Sequence, residues 1–172
     1  MTKMKTIFAV IFLALLIPVL LAAPESEAKV YRGKYANNTK WSYNTKTKTV
    51  TIECRGELPD DHHGSAGWRD YYLKAKKVIF KKGITSIGAG AFDNFQKLEE
   101  VVLPERLETI KASAFFSCYR LKKINVPKTL RTIASDVFIA TKIESFSLRR
   151  VKKIGNMCFL DSKIKEVYLS KD

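Results

Sequence analysis

From Ala75 onward the apolar positions recur as triplets at nearly constant spacing. They are Ala75-Val78-Phe80, Leu98-Val101-Leu103, Leu121-Ile124-Val126, Ile143-Phe146-Leu148 and Ile164-Val167-Leu169, with third members 23, 23, 22 and 21 residues apart. A second series keeps step: Ile84-Ile87-Phe92, Leu107-Ile110-Phe115, Leu130-Ile133-Phe138 and Val151-Ile154-Phe159. Self-similarity at such a period predicts a solenoid, because no single repeat can bury its own apolar side and stacking makes one continuous core. Ile124 and Val126 alternate with Lys123 and Asn125, the period of two of a strand with one face buried. Pro104 and Pro127 close such strands, since proline has no N–H for the ladder. The alanine-rich run after Ile110 predicts one or two helical turns, with Phe92, Phe115, Phe138 and Phe159 stacked beneath them as an aromatic spine.

Upstream, Trp41-Tyr43 and Val50-Ile52-Cys54 alternate with polar residues on either side of Asn44 to Lys48, which predicts a β-hairpin whose apolar face covers the start of the stack. Residues 56–67 read as a loop and 68–76 as a short helix. The expected fold is therefore an α/β solenoid, one parallel strand plus a short helical turn per repeat, with an N-terminal β-hairpin cap. Its expected divisions are a signal peptide over 1–28, a capping hairpin and short helix over 29–74, and about four and a half repeats over 75–172. The final strand around Leu169 is expected to be an edge, blunted by Lys171 and Asp172 or open to a partner.

The run Leu121-x-x-Ile124-x-Val126-Pro127-x-x-Leu130-x-x-Ile133-x-x-x-x-Phe138, with Ala114-Phe115-x-x-Cys118 in the repeat before, resembles the BspA-type leucine-rich repeats of bacterial and protist surface proteins. The stretch from Trp41 to Asp60, followed by Trp68-Arg69-Asp70-Tyr71, resembles the segment that often precedes such repeats. The fourth repeat departs from the pattern, lacking the proline and one residue after Leu148 and carrying Cys158 in place of the alanine. The resemblance implies adhesion or recognition of host or matrix macromolecules; a fold by itself does not establish this.

The first residues look like a targeting segment. Lys3 and Lys5 precede an apolar run of 15 residues from Ile7 to Leu21, followed by small residues, with cleavage expected after Ala28. The run is shorter than the roughly 20 residues of a comfortable membrane span. The mature protein is accordingly expected to be secreted or displayed at the cell surface, without a stable membrane span. In such a setting Asn37-Asn38-Thr39 is a glycosylation sequon if the host is eukaryotic.

Little in the chain suggests catalysis. Its two histidines, His62 and His63, are adjacent, and neighbouring side chains in an extended loop point opposite ways, so the spacing does not make a chelate. The glycines fit the repeat's own turns and form no phosphate loop. No catalytic residue, metal or cofactor is expected. Of three cysteines, Cys118 and Cys158 lie two repeats apart, roughly 10 Å at about 4.8 Å per strand, too far for a disulfide. Cys54 is not expected to pair with either.

Charge carries what remains. The chain has a formal net charge of +14, and removing residues 1–28 leaves it unchanged. Such a balance attracts polyanions, and the repeat says where. The row before each triplet reads Lys74, Lys97, Arg120, Lys142, Lys163, all basic. Two rows further on, Lys76, Glu99, Lys122, Glu144, Lys165 alternate in sign and can pair across the ladder. The outward row Ile79, Val102, Asn125, Ser147, Tyr168 is uncharged. The expected function is a non-enzymatic binding or adhesion module: the uncharged row contacts an extracellular protein and the basic row an anionic polysaccharide, with no nucleic acid expected. The basic row also reads as solvated charge that keeps a small solenoid soluble. The alternative function is a structural protein that assembles through its last strand.

Overall fold

The computed structural model describes residues 27–61 and 64–169. The targeting segment up to residue 26, and His62 and His63, lie outside the described residues.

Thirteen short strands build the described fold: β1 (Val30–Tyr35), β2 (Thr39–Asn44), β3 (Thr49–Glu53), β4 (Gly56–Glu57), β5 (Lys77–Phe80), β6 (Ile84–Ile87), β7 (Glu100–Val102), β8 (Thr109–Ile110), β9 (Lys123–Ile124), β10 (Thr132–Ile133), β11 (Ser145–Ser147), β12 (Lys153–Ile154) and β13 (Glu166–Tyr168). The first apolar series forms one sheet in the order β1-β2-β3-β5-β7-β9, and β11 pairs with β13 beyond it. The second series forms a sheet of its own, β12-β10-β8-β6-β4. Successive coils pair in parallel, Val78 with Val101 and Ile124 in the first sheet, Ile87 with Ile110 and Ile133 in the second. These inward residues are fully buried except Ile124, which is half-buried.

The third side of each coil was expected to be helical, and it is not. Among the described residues the one helical element is a five-residue 3-10 helix, Gly67–Tyr71. The alanine-rich runs instead send alternate N–H groups to the neighbouring coil: Gly90, Phe92 and Asn94 donate to Ala112, Ala114 and Phe116 at 2.7–3.0 Å, and Ser113, Phe115 and Ser117 donate to Ser135, Val137 and Ile139. An N–H spent along the solenoid axis cannot also close a helical turn, so stacking overrides the helix propensity of alanine. The geometry places two residues per coil at positive φ, Gly90 and Asn94, Ser113 and Ser117, Asp136 and Ala140, Met157 and Asp161, all between 54° and 65°.

The aromatic spine runs as expected. Phe92 stacks on Phe115 at 6.0 Å, Phe115 on Phe138 at 5.9 Å, and Phe138 on Phe159 at 5.5 Å. Trp68 extends the stack at 5.9 Å from Phe92, and its indole N–H donates to Ala91 O at 2.9 Å. Burying each ring contributes on the order of 2–3 kcal/mol.

The hairpin cap also needs correction. β2 and β3 do pair antiparallel, Trp41 opposite Ile52 and Tyr43 opposite Val50, but β3 then pairs in parallel with β5, Val50 beside Val78 and Ile52 beside Phe80. The segment prolongs the first sheet rather than folding over the end of the stack. Its strands supply what a repeat would: β3 joins the first sheet, β4 joins the second, and Trp68 joins the spine. An irregular sequence thus makes a further coil. Asp61 fastens it, accepting hydrogen bonds at Oδ1 from the N–H groups of Ser65 (2.8 Å) and Ala66 (3.1 Å), with Oδ2 3.6 Å from Arg69 Nε. Arg69 in turn pairs with Asp93 in the next coil.

Candidate binding surface

Along the first sheet every second side chain must face away from the core, and the register decides which outward residues become neighbours. Lys77 lies opposite Glu100 and pairs with it at 2.9 Å; Lys76 reaches Glu99 at 3.5 Å, and Lys165 reaches Glu144 at 3.2 Å. The rows of alternating sign thus compensate at three places across the ladder, while Lys122 and Lys123 form no ion pair with a described residue.

The basic row behaves differently. Lys74, Lys97, Arg120, Lys142 and Lys163 are all exposed, and none makes an ion pair with a described residue. Nor do the five form one unbroken line. Phe138 to Ile143 is five positions, whereas Phe92 to Leu98 and Phe115 to Leu121 are six. The chain enters the fourth coil one residue early, so Lys142 N–H donates to Leu121 O at 2.8 Å. The bonds from Glu99 to Lys76, Lys122 to Glu99 and Lys165 to Glu144 all join equivalent positions of the repeat. This slip leaves β9 and β11 unpaired and divides the row into Lys74, Lys97, Arg120 on one side and Lys142, Lys163 on the other.

The uncharged outward row is divided at the same seam. Ile79 lies beside Val102, both half-buried, and Ser147 lies beside Tyr168. Asn125 is exposed but its amide is engaged: Oδ1 accepts from Leu103 N–H at 2.6 Å and Nδ2 donates to Leu103 O at 2.9 Å, taking the place of strand pairing where β9 ends. Tyr168 donates its hydroxyl to Glu166 Oε2 at 2.7 Å, and that bond pushes the phenol pKa up.

Chemistry beyond recognition has few candidates. All three cysteines are free and buried, and burial pushes the Cys118 and Cys158 thiols up to about 12. Among the described residues no group of three or more His, Cys, Asp or Glu side chains is placed to hold a metal. The seam and the second sheet are what sequence reasoning missed. Their signals were the one-residue change in spacing and the second apolar series, whose spacing of three does not look like a strand.

The coil geometry has a counterpart among known families: a model of the BspA type leucine rich repeat region matches residues 70–172 in 6 copies. The chain belongs to the BspA-type leucine-rich repeat family. Solved structures of leucine-rich repeat proteins share its fold. One from Eubacterium ventriosum superposes with a TM-score of 0.70 at 20% identity, over 83% of this chain and 40% of that one. One from Bacteroides ovatus gives 0.60 at 19% identity, over 86% and 41%, and a T. pallidum protein gives 0.58 at 19%, over 84% and 70%. This BspA-type chain thus spans about 40% of the length of the first two. No curated protein matches it in sequence. Among the described residues no helix is long and apolar enough to cross a membrane.

Proposed function

We propose that this chain is a non-enzymatic binding module acting outside the cell, secreted or held at the cell surface, which recognises host or matrix macromolecules. The family and the lysine-led apolar run at residues 3–21 support the setting. The observation that carries the reading is the contrast between rows: the alternating rows form three ion pairs at 2.9–3.5 Å, while the basic row forms none with a described residue. Like charges at about 4.8 Å steps repel one another, and a sulfated or uronic polysaccharide lying along them relieves that repulsion. The uncharged row offers the apolar area of Ile79 and Val102 to a protein ligand.

The test compares elution from heparin with elution from a plain cation exchanger for the wild type and two variants. One carries Arg120→Glu with Lys142→Glu; the other carries Lys34→Glu with Lys40→Glu, which face each other on β1 and β2. The expected result is that heparin holds the wild type to higher salt than the exchanger does, and that the row variant alone loses this margin. Equal losses by both variants on both columns would reduce the row to solvated charge.

A second reading, assembly through the last strand, is favoured by one observation. Val167 and Ile154 are 43% and 46% exposed, whereas Val78, Val101, Ile110 and Ile133 in the same columns are at most 1% exposed. Sedimentation that shows mass rising with concentration, abolished by Tyr168→Pro, would support it.

A further inference from the structure

Past the ends of β9 and β11, between the loops that follow them, the surface opens into a cleft of about 370 Å³. Its floor is aliphatic, made by Val126, Pro127, Leu130 and Val151, and its rim carries Lys128, Arg149 and Arg150. All three cations are exposed and none forms an ion pair with a described residue. The cleft's shape is held from beneath. Arg131 Nη1 donates to Lys128 O at 2.8 Å, Leu130 O at 3.1 Å and Arg150 O at 3.4 Å, tying together the two loops that flank the seam. A fixed concavity ringed by three uncompensated cations concentrates positive potential over a small opening, which is what a single anionic group needs.

We propose that this seam cleft is a docking site for one acidic side chain of an extended segment of a protein partner. Guanidinium groups favour planar, bidentate recognition of a carboxylate, and the aliphatic floor suits the methylene stem of a glutamate. Ser147 lines the cleft and also belongs to the uncharged outward row, so a segment lying along that row passes over the opening. A sugar ring is less well matched: no aromatic side chain lines the cleft. The assignment rests on reading the chain as a binding module, but it does not use the basic row.

The experiment titrates the full chain at low salt with a capped hexapeptide of alternating leucine and glutamate, with its glutamine counterpart, and with a heparin hexasaccharide. Three proteins are compared: wild type, Arg149→Gln with Arg150→Gln, and Lys97→Gln with Lys142→Gln. Circular dichroism confirms that each is folded. The expected result is that the glutamate peptide binds wild type about tenfold more tightly than the glutamine peptide, that the cleft variant loses this preference, and that the row variant keeps it. If the cleft variant keeps the preference, or both variants lose it equally, the peptide senses only the chain's general charge and the proposal fails. If the cleft variant loses heparin binding while the two peptides bind alike, the cleft takes a polysaccharide and the peptide assignment is overturned. Heparin binding indifferent to the row variant sinks the basic-row reading alone, so the two failures are distinguishable.

Discussion

Ala140 and Phe115 show two kinds of residue that hold the coil, one legible in the sequence and one not. The spine phenylalanines recur at the repeat period, so their stacking follows from pattern alone. The positive-φ columns do not announce themselves, because they are filled by Gly90, Ser113, Asp136 and Met157 in one case and by Asn94, Ser117, Ala140 and Asp161 in the other. Only some of these residue types favour a left-handed backbone. Ala140, at φ 56° and donating to Leu160 O at 2.9 Å, holds a conformation that costs an L-residue roughly 1–2 kcal/mol and glycine nothing. The added freedom of the unfolded chain returns about 0.4–1 kcal/mol of that. Ala140→Gly should therefore raise stability by up to about 1 kcal/mol in urea unfolding. Ala114→Gly, at a buried position without positive φ, should lower it by about 1 kcal/mol. Equal losses at both sites would contradict the strain argument.

Among elements, the strands of the first sheet were legible because polar residues separate their inward positions, as Lys123 and Asn125 flank Ile124. The strands of the second sheet are mostly two residues long and show no alternation to read. The alanine-rich side misled for a physical reason: propensity describes an isolated segment, whereas these N–H groups find acceptors in the next coil. The first coil was hidden because Trp68, Asp61 and β4 follow no repeat, yet β3, β4 and Trp68 supply the same three sides and Asp61 fastens them. Asp61 is the fastening most exposed to test. Asp61→Ala leaves the N–H groups of Ser65 and Ala66 without their acceptor and removes the carboxylate facing Arg69; the expected cost is about 2–4 kcal/mol, read as a lower urea midpoint. Lys111, which pairs at the surface with Glu57 and Asp60, should cost under about 1 kcal/mol when changed to Met. If the two variants cost the same, Asp61 is not the clasp of the first coil.

For the molecule as a whole, the legible part of the candidate surface was its charge layout, because a repeat converts sequence spacing into rows. The seam was not legible, since a loop shortened by one residue between Phe138 and Ile143 can be absorbed locally or passed on as a slip, and only the hydrogen bond from Lys142 to Leu121 shows that it is passed on. Charge and burial together also shape the response to pH. Burial pushes the Cys118 and Cys158 thiols up to about 12, and burial likewise raises Cys54, Tyr43 and Tyr71. Each of these groups keeps its proton longer in the folded chain than in the unfolded one. Above the ordinary thiol range the unfolded state therefore binds fewer protons, so stability falls as pH rises. For a thiol moved from about 9 to about 12, the loss reaches about 2 kcal/mol near pH 10.5. Urea midpoints should thus drop steeply between about pH 9 and pH 11, and Cys118→Ala with Cys158→Ala, though less stable at pH 7, should show a shallower slope over that interval. A slope unchanged by removing both thiols would mean that the alkaline loss is carried by the other groups that burial raises, Cys54, Tyr43 and Tyr71, and that Cys118 and Cys158 contribute nothing to it.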